Sequence, residues 1–164
     1  MINLENVRLA LFDFDDTLCI HKSHAHNDSK KNSIKYYSNA VKLGAGMWKN
    51  SSPSKHMGVL LNHCKERNIR LGLISATGQS VCSKAKLEWV SNMYGLELEN
   101  FCVGTAQSKV LMLTALAEVY NLDADEILLV DDYTCNLVDA ANAGFQACTP
   151  MEVVEYVENN LMNH

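Results

Sequence analysis

Residues 7–18 read Val-Arg-Leu-Ala-Leu-Phe-Asp-Phe-Asp-Asp-Thr-Leu. The mostly apolar run up to Phe14 is typical of a parallel strand that is buried on both faces of a sheet. Three carboxylates, from Asp13, Asp15 and Asp16, come where this strand breaks into a loop. Because ligands of open parallel sheets bind at the carboxyl ends of the strands, this stretch predicts a central strand with a functional site at its end.

Strand-like and helix-like segments alternate along the rest of the chain. Short apolar runs predict further strands at residues 69–74, 101–103, 127–130 and 145–148. Helical spacing and capping residues predict helices from Ser54 to Arg67, from about Gln79 to Tyr94, from Ser108 onward, from Asn136 to Ala143, and from Thr149 to about Asn160. The alternation implies right-handed crossovers and a three-layer, Rossmann-like α/β fold, in which helices cover both faces of a parallel sheet.

The helix predicted over residues 79–94 rests on a four-residue repeat. Val81, Ala85, Trp89 and Met93 recur at this spacing and are expected to form its apolar side. Gly95 follows and is expected to end the helix.

Length and composition indicate a folded protein of a common class. The 164 residues favour a single domain over residues 1–164. A net charge of −5 argues against a nucleic-acid partner. We expect a cytoplasmic protein without a membrane segment, since no long apolar run or signal peptide is evident. The six cysteines form no CxxC pair and are expected to be reduced.

Residues 19–53 are predicted to be a small irregular insert, with a short helix at residues 34–43. Seven lysines and one acid lie between Leu18 and His56, so this part of an acidic chain is basic. The lysines either keep a loop solvated or form a surface that attracts an anion. The HxxHxH sequence of the insert has two open interpretations, a transition-metal site and a flexible loop; its histidines are His21, His24 and His26.

Polar residues also follow two other predicted strands. Ser75 and Thr77 come after one of them, and Asp131 and Asp132 come after another. Neighbouring carboxylates repel each other, and a cluster with only oxygen donors suits Mg2+. We therefore expect Asp13 and Asp132 to supply side-chain ligands to Mg2+.

The predicted site has the groups that phosphoryl transfer needs. One carboxylate could attack phosphorus and a second could protonate the leaving group and then activate water, and Asp13 and Asp15 have suitable spacing. Ser75 could donate a hydrogen bond to a phosphoryl oxygen. Lys109 lies in the first turn of its helix, where the helix dipole disfavours a cation, and a role at the site would explain this position. Lys84 and Lys86 are the alternatives for that cation.

Four motifs, in order, resemble those of the haloacid dehalogenase superfamily of phosphohydrolases. Residues 11–18 look like its DxDxT motif, which implies that Asp13 is the nucleophile and that Asp15 is the general acid and base, with its backbone oxygen also reaching Mg2+. Ser75 matches the second motif and Lys109 the third, which implies that both bind the substrate phosphate. Asp132 matches the metal ligand of the fourth, so the implied Mg2+ ligands are Asp13, Asp15 and Asp132.

Two residues near the fourth motif depart from the usual pattern. Asp131 stands where the family usually has glycine, and Asn136 stands where it often has a second aspartate. Both are expected to support the site.

The resemblance implies a Mg2+-dependent phosphoric monoester hydrolase that works through an aspartyl phosphate. Asp15 favours phosphate chemistry, because the dehalogenases of the superfamily lack an acid at this position. The short insert resembles that of the magnesium-dependent phosphatase subgroup, and its length leaves the site open to a bulky substrate or covered by a neighbouring subunit of a homo-oligomer. The expected partner is a phosphorylated small molecule or a phosphoprotein.

Other functions are compatible with parts of the pattern. A catalytically idle or regulatory protein that keeps the metal and phosphate pocket is one alternative, and a phosphotransferase is another. A response-regulator receiver would also place paired aspartates after an apolar strand, but only 32 residues follow Asp132, too few for the rest of that fold.

Overall fold

The computed structural model describes residues 2–21, 33–77, 80–104 and 108–162, with side chains from Ser38 onward in the helix that begins at Ser33. The strands are β1 (Leu9–Phe12), β2 (Cys19–Ile20), β3 (Ser52–Pro53), β4 (Arg70–Leu73), β5 (Glu99–Asn100), β6 (Ile127–Val130) and β7 (Gln146–Cys148). The α-helices are α1 (Ser33–Leu43), α2 (Lys55–Glu66), α3 (Ser80–Tyr94), α4 (Lys109–Tyr120), α5 (Thr134–Asn142) and α6 (Pro150–Asn160). Short 3-10 helices cover Gly44–Trp48 and Ala124–Glu126.

The main sheet is parallel and has the order β5-β4-β1-β6-β7. The chain builds outward from β1 to one edge, then returns to β6 on the other side of β1. In such sheets the crevice beside the first strand, at the strands' carboxyl ends, is where ligands bind. The register places the last residue of β1, Phe12, between Leu73 and Val130. The predicted α/β Rossmann-like fold is therefore confirmed.

Successive side chains of β1 point to opposite faces of the sheet, as strand geometry requires. Leu9 and Leu11 lie in an apolar cluster with residues of α4 and α5, such as Leu113 and Ala140. Ala10 and Phe12 lie in a second cluster on the other face, with residues of α2, α3 and α6 such as Leu60, Trp89 and Val153. The central strand is thus held between two layers of helices.

Three helix starts follow the predicted capping residues. The Ser54 side chain accepts a hydrogen bond from the Met57 N–H at the start of α2, and Ser108 accepts one from Val110 at the start of α4. Thr149 and Glu152 form a reciprocal capping box at the start of α6.

Several predicted boundaries are shifted, and the first strand, expected up to Phe14, ends at Phe12. The strand expected at residues 101–103 is β5 at Glu99–Asn100, although Phe101 and Val103 still donate backbone hydrogen bonds to Leu73 and Ser75. The predicted segment therefore continues the pairing of β5 along β4, up to the parallel bridge between Ala76 and Val103. Helix α5 begins at Thr134 instead of Asn136.

The insert is more ordered than its sequence indicates. The predicted short helix is present as α1, and β2 pairs with β3 in an antiparallel ladder that brings the two ends of the insert together. Trp48 is buried and its ring lies 4.8 Å from that of Phe14, in the loop after β1. His24 and His26 of the HxxHxH sequence and the lysines before α1 lie outside the described residues. In the part of the chain that is described, no helix is both long and apolar enough to cross a bilayer.

Thr17, in the loop after β1, provides a test of the packing beneath the site. Its hydroxyl is buried and finds no hydrogen-bond partner among the described residues. A buried polar group without a partner costs about 1–3 kcal/mol. We expect Thr17→Val to raise the free energy of unfolding by about 1 kcal/mol in urea denaturation, since the shape is kept and the hydroxyl removed. Thr17→Ser, which keeps the hydroxyl, is the control, and a fall of similar size in Thr17→Val would contradict the expectation.

Candidate active site

The register of the sheet brings two aspartates together. The Asp13 N–H donates to the carbonyl of Val130 (2.9 Å), which extends the pairing of β1 with β6 by one residue. Asp131 directly follows β6, and its N–H donates to the carbonyl of Cys148 (3.2 Å). Both side chains are buried. Two carboxylates that are 118 positions apart in sequence therefore lie side by side at the carboxyl end of the sheet.

Lys109 connects these carboxylates. Its Nζ lies 2.6 Å from Asp13 Oδ1 and 2.6 Å from Asp131 Oδ2. Burial would lower the pKa of this ammonium group, but the two carboxylates more than offset burial and hold its pKa above the usual value. Lys109 is the first residue of α4, and these two ion pairs outweigh the unfavourable helix dipole there. The structure therefore places Lys109 at the site, where the sequence predicted it.

The surroundings of Asp13 disfavour its ionised form, although Lys109 lies beside it. Burial raises the pKa of its carboxyl group, Lys109 opposes this, and the neighbouring Asp131 raises the pKa further, so the net direction is upward. A further positive charge near Asp13 would favour its ionised form.

Asp131 is held from several sides. Its Oδ2 also accepts a hydrogen bond from Asn136 Nδ2 (2.9 Å), and its Oδ1 accepts one from the Tyr133 N–H (2.8 Å). Asn136 lies in the first turn of α5, which directs its amide toward the end of β6. The predicted supporting residues Asp131 and Asn136 thus contact each other. Together with Lys109, Asn136 holds the Asp131 carboxylate in place beside Asp13.

A second buried lysine, Lys86 of α3, lies on the other side of the site. Its Nζ donates to Asp15 Oδ2 (2.7 Å) and to Ser75 Oγ (2.8 Å), and it is 4.8 Å from the centre of the Phe14 ring. Ser75 follows β4 and is itself buried. Lys86 therefore joins the loop after β1 to the loop after β4, which are the positions of the predicted acid/base and phosphate-binding residues.

Asp15 has a further partner in the insert. Its Oδ1 is 3.0 Å from His21 Nε2, and His21 Nδ1 is 3.2 Å from Ser51 Oγ. An ionised carboxylate only accepts hydrogen bonds, so when Asp15 is ionised Nε2 is the donor in this pair. His21 and Ser51 adjoin β2 and β3, so the pairing of those strands positions the histidine.

The donor set fits a divalent cation. Carboxylate oxygens of Asp13, Asp131 and Asp132 all lie within 4.8 Å of one another, and oxygen donors of this kind suit Mg2+. Among the described side chains, Lys109 contacts Asp13 and Asp131, and Lys86 contacts Asp15. The sequence interpretation assigned Asp131 a supporting place only, whereas the structure puts it in the oxygen cluster with the predicted ligands Asp13 and Asp132.

Lys86 and His21 have contacts that the sequence interpretation did not assign. Lys86 was considered only as a substitute for Lys109, and His21 only as part of a metal-binding sequence. A signal for Lys86 does exist, because it lies three or four residues from Cys82, Trp89 and Val90, all of which are buried on α3. No comparable signal marks His21, since its contact with Ser51 spans 30 residues and depends on the folded insert.

The chain matches no protein-family model and no curated protein sequence. Solved structures do match its fold. A protein of Bacteroides fragilis described as a haloacid dehalogenase-like hydrolase has a TM-score of 0.60 at 18% identity, with 86% of each chain covered. A dehalogenase with an intermediate complex has a TM-score of 0.58 at 12% identity, covering 88% of this chain and 85% of that one.

Two longer proteins also match. The N-terminal part of BF1531 from Bacteroides fragilis, which contains a phosphatase domain complexed with Mg, has a TM-score of 0.62 at 15% identity; the match covers 94% of this chain and 40% of that one. The chain spans 64% of the length of protein XCC2798 from Xanthomonas campestris, with a TM-score of 0.51 at 20% identity. The fold of this chain is that of the haloacid dehalogenase-like hydrolases.

Proposed function

We propose that this chain, with its haloacid dehalogenase-like fold, is a Mg2+-dependent phosphoric monoester hydrolase that works through an aspartyl phosphate. The observation that carries the proposal is the different setting of two aspartates two residues apart. Asp13 is buried beside Lys109 and Asp131, within reach of Asp132, while Asp15 is held by Lys86 and His21. When two carboxylates lie in different environments, one can act as the nucleophile and the other as the acid and base.

In the proposed first step, a carboxylate oxygen of Asp13 attacks phosphorus, and the bond from phosphorus to the leaving oxygen breaks. Asp15 delivers its proton to that oxygen, so the product leaves as an alcohol. In the second step Asp15 takes a proton from water, the resulting hydroxide attacks the aspartyl phosphate, and inorganic phosphate leaves as Asp13 is restored. Each step is thereby balanced by one proton transfer at Asp15.

The other groups of the site stabilise charge and fix positions. Lys109 lies against the nucleophile and can stabilise negative charge that develops on the phosphoryl group. Ser75 can donate its hydroxyl hydrogen to a phosphoryl oxygen. Mg2+ bound by Asp13 and Asp132, with Asp131 beside them and the backbone oxygen of Asp15 as a further ligand, would polarise the phosphoryl oxygens as a Lewis acid.

The site favours a phosphatase over a dehalogenase, although both occur among the matching folds. A halide leaves as a weak base and needs no proton, whereas an alkoxide leaving group does. Asp15 is held at both oxygens beside the predicted phosphate-binding Ser75, an arrangement with no purpose in halide release. The substrate we propose is a phosphorylated small molecule or a phosphoprotein.

A turnover screen tests this function directly. Purified protein with Mg2+ is assayed against p-nitrophenyl phosphate, a panel of phosphorylated metabolites and phosphopeptides, and 2-chloropropionate. We expect release of inorganic phosphate from at least one phosphate ester and no release of chloride. Chloride release without phosphate release would favour a dehalogenase, and the absence of any turnover would favour an idle binding protein.

Metal removal provides a separate prediction. We expect exhaustive treatment with EDTA to abolish turnover and Mg2+ to restore it, because the cluster of carboxylate oxygens suits a divalent cation. Ca2+ should restore activity poorly, since it prefers more ligands at longer distances. Circular dichroism before and after chelation is the control for folding. Full activity in the chelated protein would contradict the proposed metal site.

A further inference from the structure

Lys86 is a charged residue in a position where burial costs free energy of desolvation. It is 1% exposed on the inner face of α3, in a place where an apolar side chain would normally pack. A buried ammonium group is costly unless it is paired and hydrogen-bonded. Lys86 pairs with Asp15 and Ser75, and both take part in the proposed reaction. These contacts connect the buried charge to the chemistry of the site.

The contact with Ser75 determines the direction of a hydrogen bond. An ammonium group can only donate, and a serine hydroxyl has one hydrogen to donate. Because Lys86 donates to Ser75 Oγ (2.8 Å), the hydroxyl hydrogen is directed toward a different acceptor. In the proposed reaction that acceptor is a phosphoryl oxygen. Lys86 thus keeps Ser75 in the donor role that phosphate binding requires.

The contact with Asp15 restricts rotation of the carboxylate. Lys86 lies 2.7 Å from Oδ2, and His21 lies 3.0 Å from the other oxygen, Oδ1. A group that must deliver a proton to one oxygen and later take one from water depends on its orientation. Burial would lower the pKa of Lys86, but Asp15 and Asp13 more than offset this and raise it, so the donor stays charged.

We infer that Lys86 is a positioning residue that fixes the acid/base Asp15 relative to the phosphate-binding Ser75. His21 is a second positioning residue, which holds the other oxygen of Asp15. This inference rests on the proposed phosphatase reaction. It gives the two buried lysines separate tasks. Lys109 contacts Asp13 and Asp131 on the nucleophile side, whereas Lys86 contacts Asp15 and Ser75 on the leaving-group and phosphate side.

The test compares two substrates that differ in the need for a proton. p-Nitrophenolate leaves without help, whereas phenolate is a stronger base and depends on general acid catalysis. We expect Lys86→Met to lower kcat/KM for phenyl phosphate by about tenfold or more beyond its effect on p-nitrophenyl phosphate. Inhibition by inorganic phosphate should also weaken, because Ser75 loses its orientation. The matched control is Lys84→Met, which removes an exposed lysine from the same helix and should change neither value.

A second variant separates the two contacts of Lys86. His21→Asn should reproduce the selective loss on phenyl phosphate, because it loosens Asp15, but should leave inhibition by inorganic phosphate unchanged. If Lys86→Met does not fold, as judged by circular dichroism, Lys86→Arg carries the test. Its guanidinium keeps the charge but cannot place donors as one ammonium does, so the same selective loss is expected.

Equal losses on the two substrates in folded Lys86 variants would overturn the inference while leaving the phosphatase proposal intact. Absence of turnover by the wild-type protein on both aryl phosphates, together with the wider phosphate panel, would overturn both. A selective loss in the Lys86 variants without one in His21→Asn would overturn the part assigned to His21.

Discussion

Replacing Asp13 by Asn is expected to lower kcat by about four to six orders of magnitude, as loss of a nucleophile does in enzymes with covalent intermediates. The amide keeps the shape of the side chain but cannot attack phosphorus as a carboxylate does. It also withdraws one of the two charges that Lys109 contacts. We therefore expect a folded protein without turnover, measured as phosphate release from the best substrate of the screen.

The comparison needs a variant with the same chemical change elsewhere. Asp139→Asn alters an exposed aspartate on α5 and should retain full activity. Thermal unfolding of both variants shows whether the loss is chemical or structural. Activity of Asp13→Asn within tenfold of the wild type, with contaminating phosphatase excluded by a repeat purification, would contradict the mechanism.

Replacing Asp15 by Asn is expected to stop the reaction halfway. With p-nitrophenyl phosphate the first step does not need an acid, so Asp13 should still be phosphorylated. The second step needs a base to activate water, and the amide cannot supply one. We expect a stoichiometric burst of p-nitrophenol followed by turnover that is lower by about two to four orders of magnitude.

Intact-protein mass spectrometry after an acid quench identifies the trapped species. The mass of one added phosphoryl group should appear in Asp15→Asn, and it should be absent from the double variant that also carries Asp13→Asn. A full burst with no added mass would place the phosphoryl group elsewhere and contradict the assigned roles. Rapid steady turnover would show that Asp15 is not the base.

Much of the site could be predicted because it is encoded by strand ends. A buried strand in a parallel sheet has a recognisable apolar run, and its first polar residue marks the carboxyl end. Asp13, Ser75 and Asp131 follow such runs, so their meeting needed only the order of strands. Lys109 could be placed by its capped helix start and its unfavourable position there.

The buried position of Lys86 was not predicted, because a four-residue repeat drifts around a helix. Each residue turns the helix by about 100°, so four residues advance about 40° beyond a full turn, and Val81 and Met93 end about 120° apart. Both are in fact exposed, at 47% and 40%. The buried face is centred on Lys86, between Cys82 and Val90. The expected apolar side of α3 was therefore wrong at its ends, and a lysine stood at the true centre.

The contact of His21 and the orientation of Asp131 could not be predicted, for other reasons. The contact of His21 with Asp15 depends on how the insert folds back through β2 and β3, which no local pattern encodes. Asp131 was recognised as part of a motif, but its direction depends on donors from α4 and α5 that converge only in the folded chain. Sequence patterns thus could not predict the contacts that depend on the folded insert or on the convergence of α4 and α5.

The aromatic contacts beneath the site place both tryptophans where their fluorescence can report on ligand binding. The chain contains two tryptophans, Trp48 and Trp89, and both pack edge-on against Phe14, with ring centres 4.8 and 5.4 Å away. Phe14 is the residue between Asp13 and Asp15. Intrinsic tryptophan emission therefore originates next to the two reacting carboxylates, with no competing fluorophore of this kind elsewhere in the chain. Ligand titrations and stopped-flow traces can be recorded on the unlabelled wild-type protein.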